Sequence, residues 1–196
     1  MRALTTRVPR SLFAALLVVL TVSASTLARA AEFTYTGVLN GASEAPPNAS
    51  LGVGSVQVDV NTTTNMMHIL ATFYGLTGNT TACHIHAPTA VAGTGTAGVA
   101  TTTPSFALFP LGVKQGVFEN TLDMTLASSY NPAYVTANGG TTAGAQAALF
   151  AALAANKAYF NVHSSSFPGG EIRGFLGDKS TPTKNASWGR IKNLYR

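Results

Sequence analysis

The stretch Ser55-Val56-Gln57-Val58-Asp59-Val60 alternates apolar and polar residues at every position. That period of two belongs to a strand with one face in a core and the other toward water. The same signature recurs. Phe33 to Leu39 alternates as a first strand, and Met66 to Tyr74 forms the second arm of a hairpin across the polar turn Asn61 to Asn65. Val117 to Leu126 places Phe118, Leu122, Met124 and Leu126 on one face, with Glu119, Thr121, Asp123 and Thr125 on the other. Short apolar runs broken by Gly, Asn, Thr and Pro predict an all-β chain, an antiparallel Greek-key sandwich or barrel. One helix is expected, over Ala143 to Ala155, where Leu149, Phe150 and Leu153 make a narrow apolar stripe.

The two ends read differently from this body. Residues 1–30 carry Arg2, Arg7 and Arg10, then an apolar run from Leu12 to Val22, then Ala28-Arg29-Ala30. This is the pattern of a secretory signal, with Ala31 as the expected mature start and a secreted or periplasmic product. The run is too short to span a bilayer, and no later segment supplies about 20 uninterrupted apolar residues, so no membrane span is expected after signal removal. Residues 179–196 form a polar linker and a basic tail in which Trp188, Ile191 and Tyr195 fall at helical spacing. The β domain is therefore expected over residues 31–178.

Charge separates along the same boundaries. Residues 31–178 hold Lys114, Lys157 and Arg173 against seven carboxylates, a net of −4, while the basic residues gather at the ends. A body without clustered Lys and Arg offers no groove for nucleic acid. With a single cysteine the chain cannot close an internal disulfide, so its core must supply its stability.

Chemistry concentrates in Cys83-His84-Ile85-His86-Ala87-Pro88. On a strand, His84 and His86 project to one face while Cys83 and Ile85 project to the other, where a lone thiol behaves as a small hydrophobe. Two imidazoles on one face, joined by His163 from another strand, make a candidate three-His site suited to copper or zinc, with an open fourth position. Asn161, Glu171 and Arg173 are candidates to orient a ring or draw anions toward it, and Glu44 is a candidate contact from a proline-rich loop. Asn40 to Pro47 cannot be a central strand, because Pro46 and Pro47 remove ladder donors, and Glu44 is expected to be solvated there. Residues 87–105, uncharged and rich in Ala, Gly, Thr and Pro, are expected to form a long loop over one end of the sheet. His68 is expected to be an edge or packed histidine rather than a ligand.

Four runs occur in an order that resembles the CHRD domain, the module named after chordin and found in exported microbial proteins: Leu39-Asn40-Gly41-Ala42-Ser43-Glu44-Ala45-Pro46-Pro47, His84-Ile85-His86-Ala87-Pro88, Tyr159-Phe160-Asn161-Val162-His163, and Pro168-Gly169-Gly170-Glu171-Ile172-Arg173-Gly174. The resemblance covers roughly residues 33 to 177. It implies an extracellular or periplasmic β-rich module and no defined biochemical role. Taken with the histidines, the first expectation is a non-enzymatic module that binds a metal ion through His84, His86 and His163 or an extracellular partner through that patch; a structural envelope or matrix module is an alternative. Cys83 departs from the family, which usually has a small residue such as Ala there.

A looser likeness is to the copper-zinc superoxide dismutases, which also order a His-x-His strand, a later Val-His and a Gly-rich turn leading to an Arg, as in His84, His86, Val162-His163 and Gly170 to Arg173. It implies a copper-dependent oxidoreductase as the alternative. Those enzymes need a bridging His, further ligands and a disulfide, whereas here only His68 and one cysteine remain.

Overall fold

A computed structural model describes residues 32–178. The expected signal segment and basic tail lie outside the described residues. The strands are β1 (Glu32–Asn40), β2 (Val53–Asn61), β3 (Met66–Tyr74), β4 (Thr80–His86), β5 (Gly116–Asp123), β6 (Tyr159–Ser164), β7 (Ile172–Phe175) and β8 (Gly177–Asp178). All pair antiparallel in one sheet of order β4-β6-β7-β1-β2-β3-β5, with β8 also on β1, curled into a half-barrel. No helix of the described residues is long and apolar enough to cross a membrane.

Alternation fixes which face closes over the core. Val56, Val58 and Val60 of β2 and Met67, Ile69, Ala71 and Phe73 of β3 are all buried, as their period of two requires. On the opposite face of the same strands His68 lies 3.1 Å from Glu119 and 3.6 Å from Asp59, a half-exposed imidazole between carboxylates. The strand β5 stops at Asp123, whose carboxylate accepts the Thr125 amide and hydroxyl. That turn breaks the alternation, so Met124 is buried but Leu126 is exposed rather than inward.

The expected helix is α2 (Thr142–Ala154), capped by Thr141 and burying Leu149 and Leu153. A second, six-residue helix, α1 (Pro132–Ala137), begins where Asn131 caps Ala133 and Pro132 takes the first turn.

The free edge of β4 is closed by the long loop rather than by a strand. Thr101 and Ser105 hydroxyls accept the Ile85 and Cys83 amides, and the Cys83 and Ile85 carbonyls accept from Phe106 and Ala100. Phe106, thereby fixed, stacks on Phe118 at 5.4 Å and Phe160 at 6.2 Å. An edge that would otherwise invite another chain is thus satisfied internally.

Cys83 points into this core with no exposed surface, and burial pushes its thiol well above the ordinary range. The folded protein should therefore resist iodoacetamide and label to one equivalent only in denaturant. Stoichiometric labelling under native conditions would contradict this placement.

Candidate metal centre

The strands β4, β6 and β7 turn their second face away from the core, and register decides what meets there. His84 pairs with Asn161, His86 with Tyr159, and Asn161 in turn with Arg173. Directly paired residues share a face, so His84, His86, Tyr159, Asn161, His163 and Arg173 form one polar patch. The same register puts His163 opposite Ala82, diagonal to His84, before it shifts between Ala82 and Thr80. One ligand atom from each of His84, His86 and His163 can be chosen so that all lie within 4.8 Å of one another.

Each ring is held from behind by a loop carbonyl: His84 Nε2 by Pro104 O at 2.7 Å, His86 Nδ1 by Ala97 O at 2.9 Å, and His163 Nδ1 by Pro168 O at 2.9 Å. A carbonyl only accepts, so those three nitrogens carry the protons. In the neutral rings the remaining nitrogens, His84 Nδ1, His86 Nε2 and His163 Nε2, are therefore bare lone pairs. His84 Nδ1 and His163 Nε2 stand 3.4 Å apart, with no proton on either to bridge them. His86 Nε2 is buried without a hydrogen-bond partner. Burial holds all three rings below the ordinary imidazole range, His86 at about 4, so the neutral form prevails at pH 7.

Asn161 and Glu44 carry two more unpartnered buried oxygens, Oδ1 and Oε1. Both crowd Gly170, where an added Cβ would meet the Asn161 amide at 2.6 Å and Glu44 Oε1 at 2.8 Å; at φ +134° only glycine fits comfortably. Contrary to expectation, Glu44 is not solvated. Its side chain is 6% exposed, and the Arg173 guanidinium lies 3.8 Å from it. Burial raises its carboxyl to about 7, against the pull of Arg173.

Arg173 donates to Ser43 O and Gly95 O and covers the Tyr159 ring at 4.7 Å, while Tyr159 stacks on His86 at 4.8 Å and 7°. Glu171 does not reach the imidazoles and orients none of them. Its carboxylate accepts from Ser50 Oγ, the Thr77 amide and the Gly78 amide, bracing loops beside the patch. Tyr159 and the three carbonyls complete the site without a signal of their own in the sequence, because a backbone oxygen leaves no residue-type imprint.

Chemically, the arrangement offers three neutral imidazole donors with fixed tautomers, the form in which histidine binds transition metals. A family model described as the CHRD domain matches residues 35–176. No match was found among curated proteins or among solved structures. With the family model matching residues 35–176 of the 196, the chain belongs to the CHRD domain family.

Proposed function

We propose that this chain is an exported, non-enzymatic CHRD module that holds one transition-metal ion, copper or zinc, between His84, His86 and His163. The observation that carries the reading is the set of three carbonyl-fixed tautomers, with one nitrogen of each ring within 4.8 Å of the others and the free nitrogens of His84 and His163 3.4 Å apart. Facing lone pairs repel, and a buried unpaired acceptor costs about 1–3 kcal/mol; a cation at the centre relieves both. The donor set fits the group, since imidazole suits copper and zinc and magnesium or calcium would want oxygens.

The test is metal analysis of protein purified without a histidine tag, beside a variant carrying His84→Ala and His86→Ala. One equivalent per chain, lost in the variant, is expected. Metal-free protein that takes up neither ion would overturn the reading and leave a structural envelope module. Catalytic redox turnover by the copper-loaded protein would replace the non-enzymatic reading with the oxidoreductase one.

A further inference from the structure

The charge of the ion can be argued from the groups around it, granted the three-His reading above. All three donors are neutral, and among the described residues no carboxylate or thiolate joins them. The acids nearby are engaged elsewhere: Glu171 with Ser50 Oγ and the Thr77 and Gly78 amides, Glu44 beside Arg173. The formal charge that faces the imidazoles is positive. Arg173, 4% exposed, lies 4.7 Å from the centre of the Tyr159 ring, which stacks on His86 at 4.8 Å. Its guanidinium is pinned there by Ser43 O and Gly95 O.

A divalent ion would place two uncompensated charges in a buried site next to a guanidinium. The cost of stripping an ion of water grows with the square of its charge, and the repulsion from Arg173 grows in proportion to it. A monovalent ion that accepts imidazole nitrogen suffers a quarter of the first and half of the second. Copper(I) is such an ion, and its single charge is satisfied by few donors, whereas zinc(II), which has a filled d shell too, takes a fourth ligand.

The distances bring the three donors near a common ion. Nitrogens sharing one ion at about 2.0–2.1 Å stand at most about 4 Å apart. The 3.4 Å His84–His163 pair already fits, and with the set spanning up to 4.8 Å the rings draw together on an ion.

We propose that the three-His site selects copper(I) over divalent ions, and that Arg173 is the residue whose charge sets that selectivity. The 4.7 Å from Arg173 to the Tyr159 ring and the 4.8 Å from that ring to His86 keep the guanidinium within two ring contacts of the imidazole. A unit charge on the order of 10 Å away, at an effective dielectric near 20, changes the relative affinity for mono- and divalent ions roughly 10- to 20-fold.

The experiment is an anaerobic competition on the metal-free, untagged chain, with copper(I) buffered by bicinchoninate and zinc(II) by a chromophoric chelator. One copper(I) per chain is expected, bound at least about 100-fold more tightly than zinc(II). Arg173→Met should shrink that ratio roughly 10- to 20-fold. Glu44→Gln leaves the Arg173 contacts to Ser43 and Gly95 in place and, at pH 8, above the Glu44 carboxyl's value of about 7, removes the carboxylate charge beside the guanidinium, so it should widen the ratio there; it carries the test if Arg173→Met does not fold. Zinc(II) bound as tightly as copper(I), or a ratio that neither variant moves, overturns the selectivity while the three-His site stands. Failure of both ions to bind stoichiometrically overturns the site itself.

Discussion

Copper or zinc added to the metal-free protein is expected to raise its melting temperature by about 10 °C, and His86→Ala to remove that rise. The magnitude follows from linkage. An ion that binds only the folded chain, at free concentration 1,000 times its dissociation constant, contributes about 4 kcal/mol, and a chain of this size shifts about 2–4 °C per kcal/mol. The unfolded chain has no comparable site, because His163 meets His84 and His86 only through the β4–β6 ladder. His86→Ala leaves two donors and abolishes the pocket's third lone pair, so the metal-dependent shift should fall to near zero although the fold persists. Magnesium should shift neither protein, lacking affinity for nitrogen donors. Differential scanning fluorimetry of both proteins with each ion checks this. An equal shift in wild type and variant would place the ion elsewhere.

What the sequence makes legible here is what leaves a periodic or chemical imprint. Val56, Val58 and Val60 declare a half-buried strand, and the same alternation aims His84 and His86 together and Cys83 and Ile85 into the core. That His163 lies on the same face follows from spacing plus one antiparallel pairing. Other features depend on neighbours that local patterning does not specify. Glu44 reads as a solvated loop carboxylate because nothing near it in sequence shows that Arg173 will lie beside it. Glu171 and Arg173 alternate as if paired, yet the loops carrying Ser50, Thr77 and Gly78 capture the carboxylate first. Leu126 fits the β5 alternation, but the Asp123–Thr125 turn intervenes. The Asn131-Pro132 cap is a signal in the sequence itself, and it marks a helix too short to show a stripe.

Glu171→Ala should cost about 3–5 kcal/mol, the largest loss expected from one polar substitution in this chain. The carboxylate has no exposed surface, and it answers the Ser50 hydroxyl and the Thr77 and Gly78 amides. Charge-assisted bonds contribute about 1.5–3 kcal/mol each, and truncation leaves two backbone donors facing a void. Glu171→Gln keeps one acceptor but sets an amide donor against an N–H, so an intermediate loss is expected. The pH dependence separates this from simple packing. Burial alone would raise the carboxyl, but bonds from Ser164, Ser50, Thr77 and Gly78 outweigh it and hold Glu171 below its ordinary value of 4.5. A depressed carboxyl contributes its full stability above the unfolded value and loses it as pH falls from about 4.5 through the folded one, since the unfolded chain then binds the proton first. Urea melts of the metal-free wild type between pH 7 and pH 3 should therefore show falling stability below about pH 4.5. In Glu171→Gln that limb should be shallower, because the titrating group is gone. Parallel limbs in the two proteins would mean that the acid sensitivity arises from other groups, the three buried imidazoles included, and that Glu171 braces its loops by shape alone.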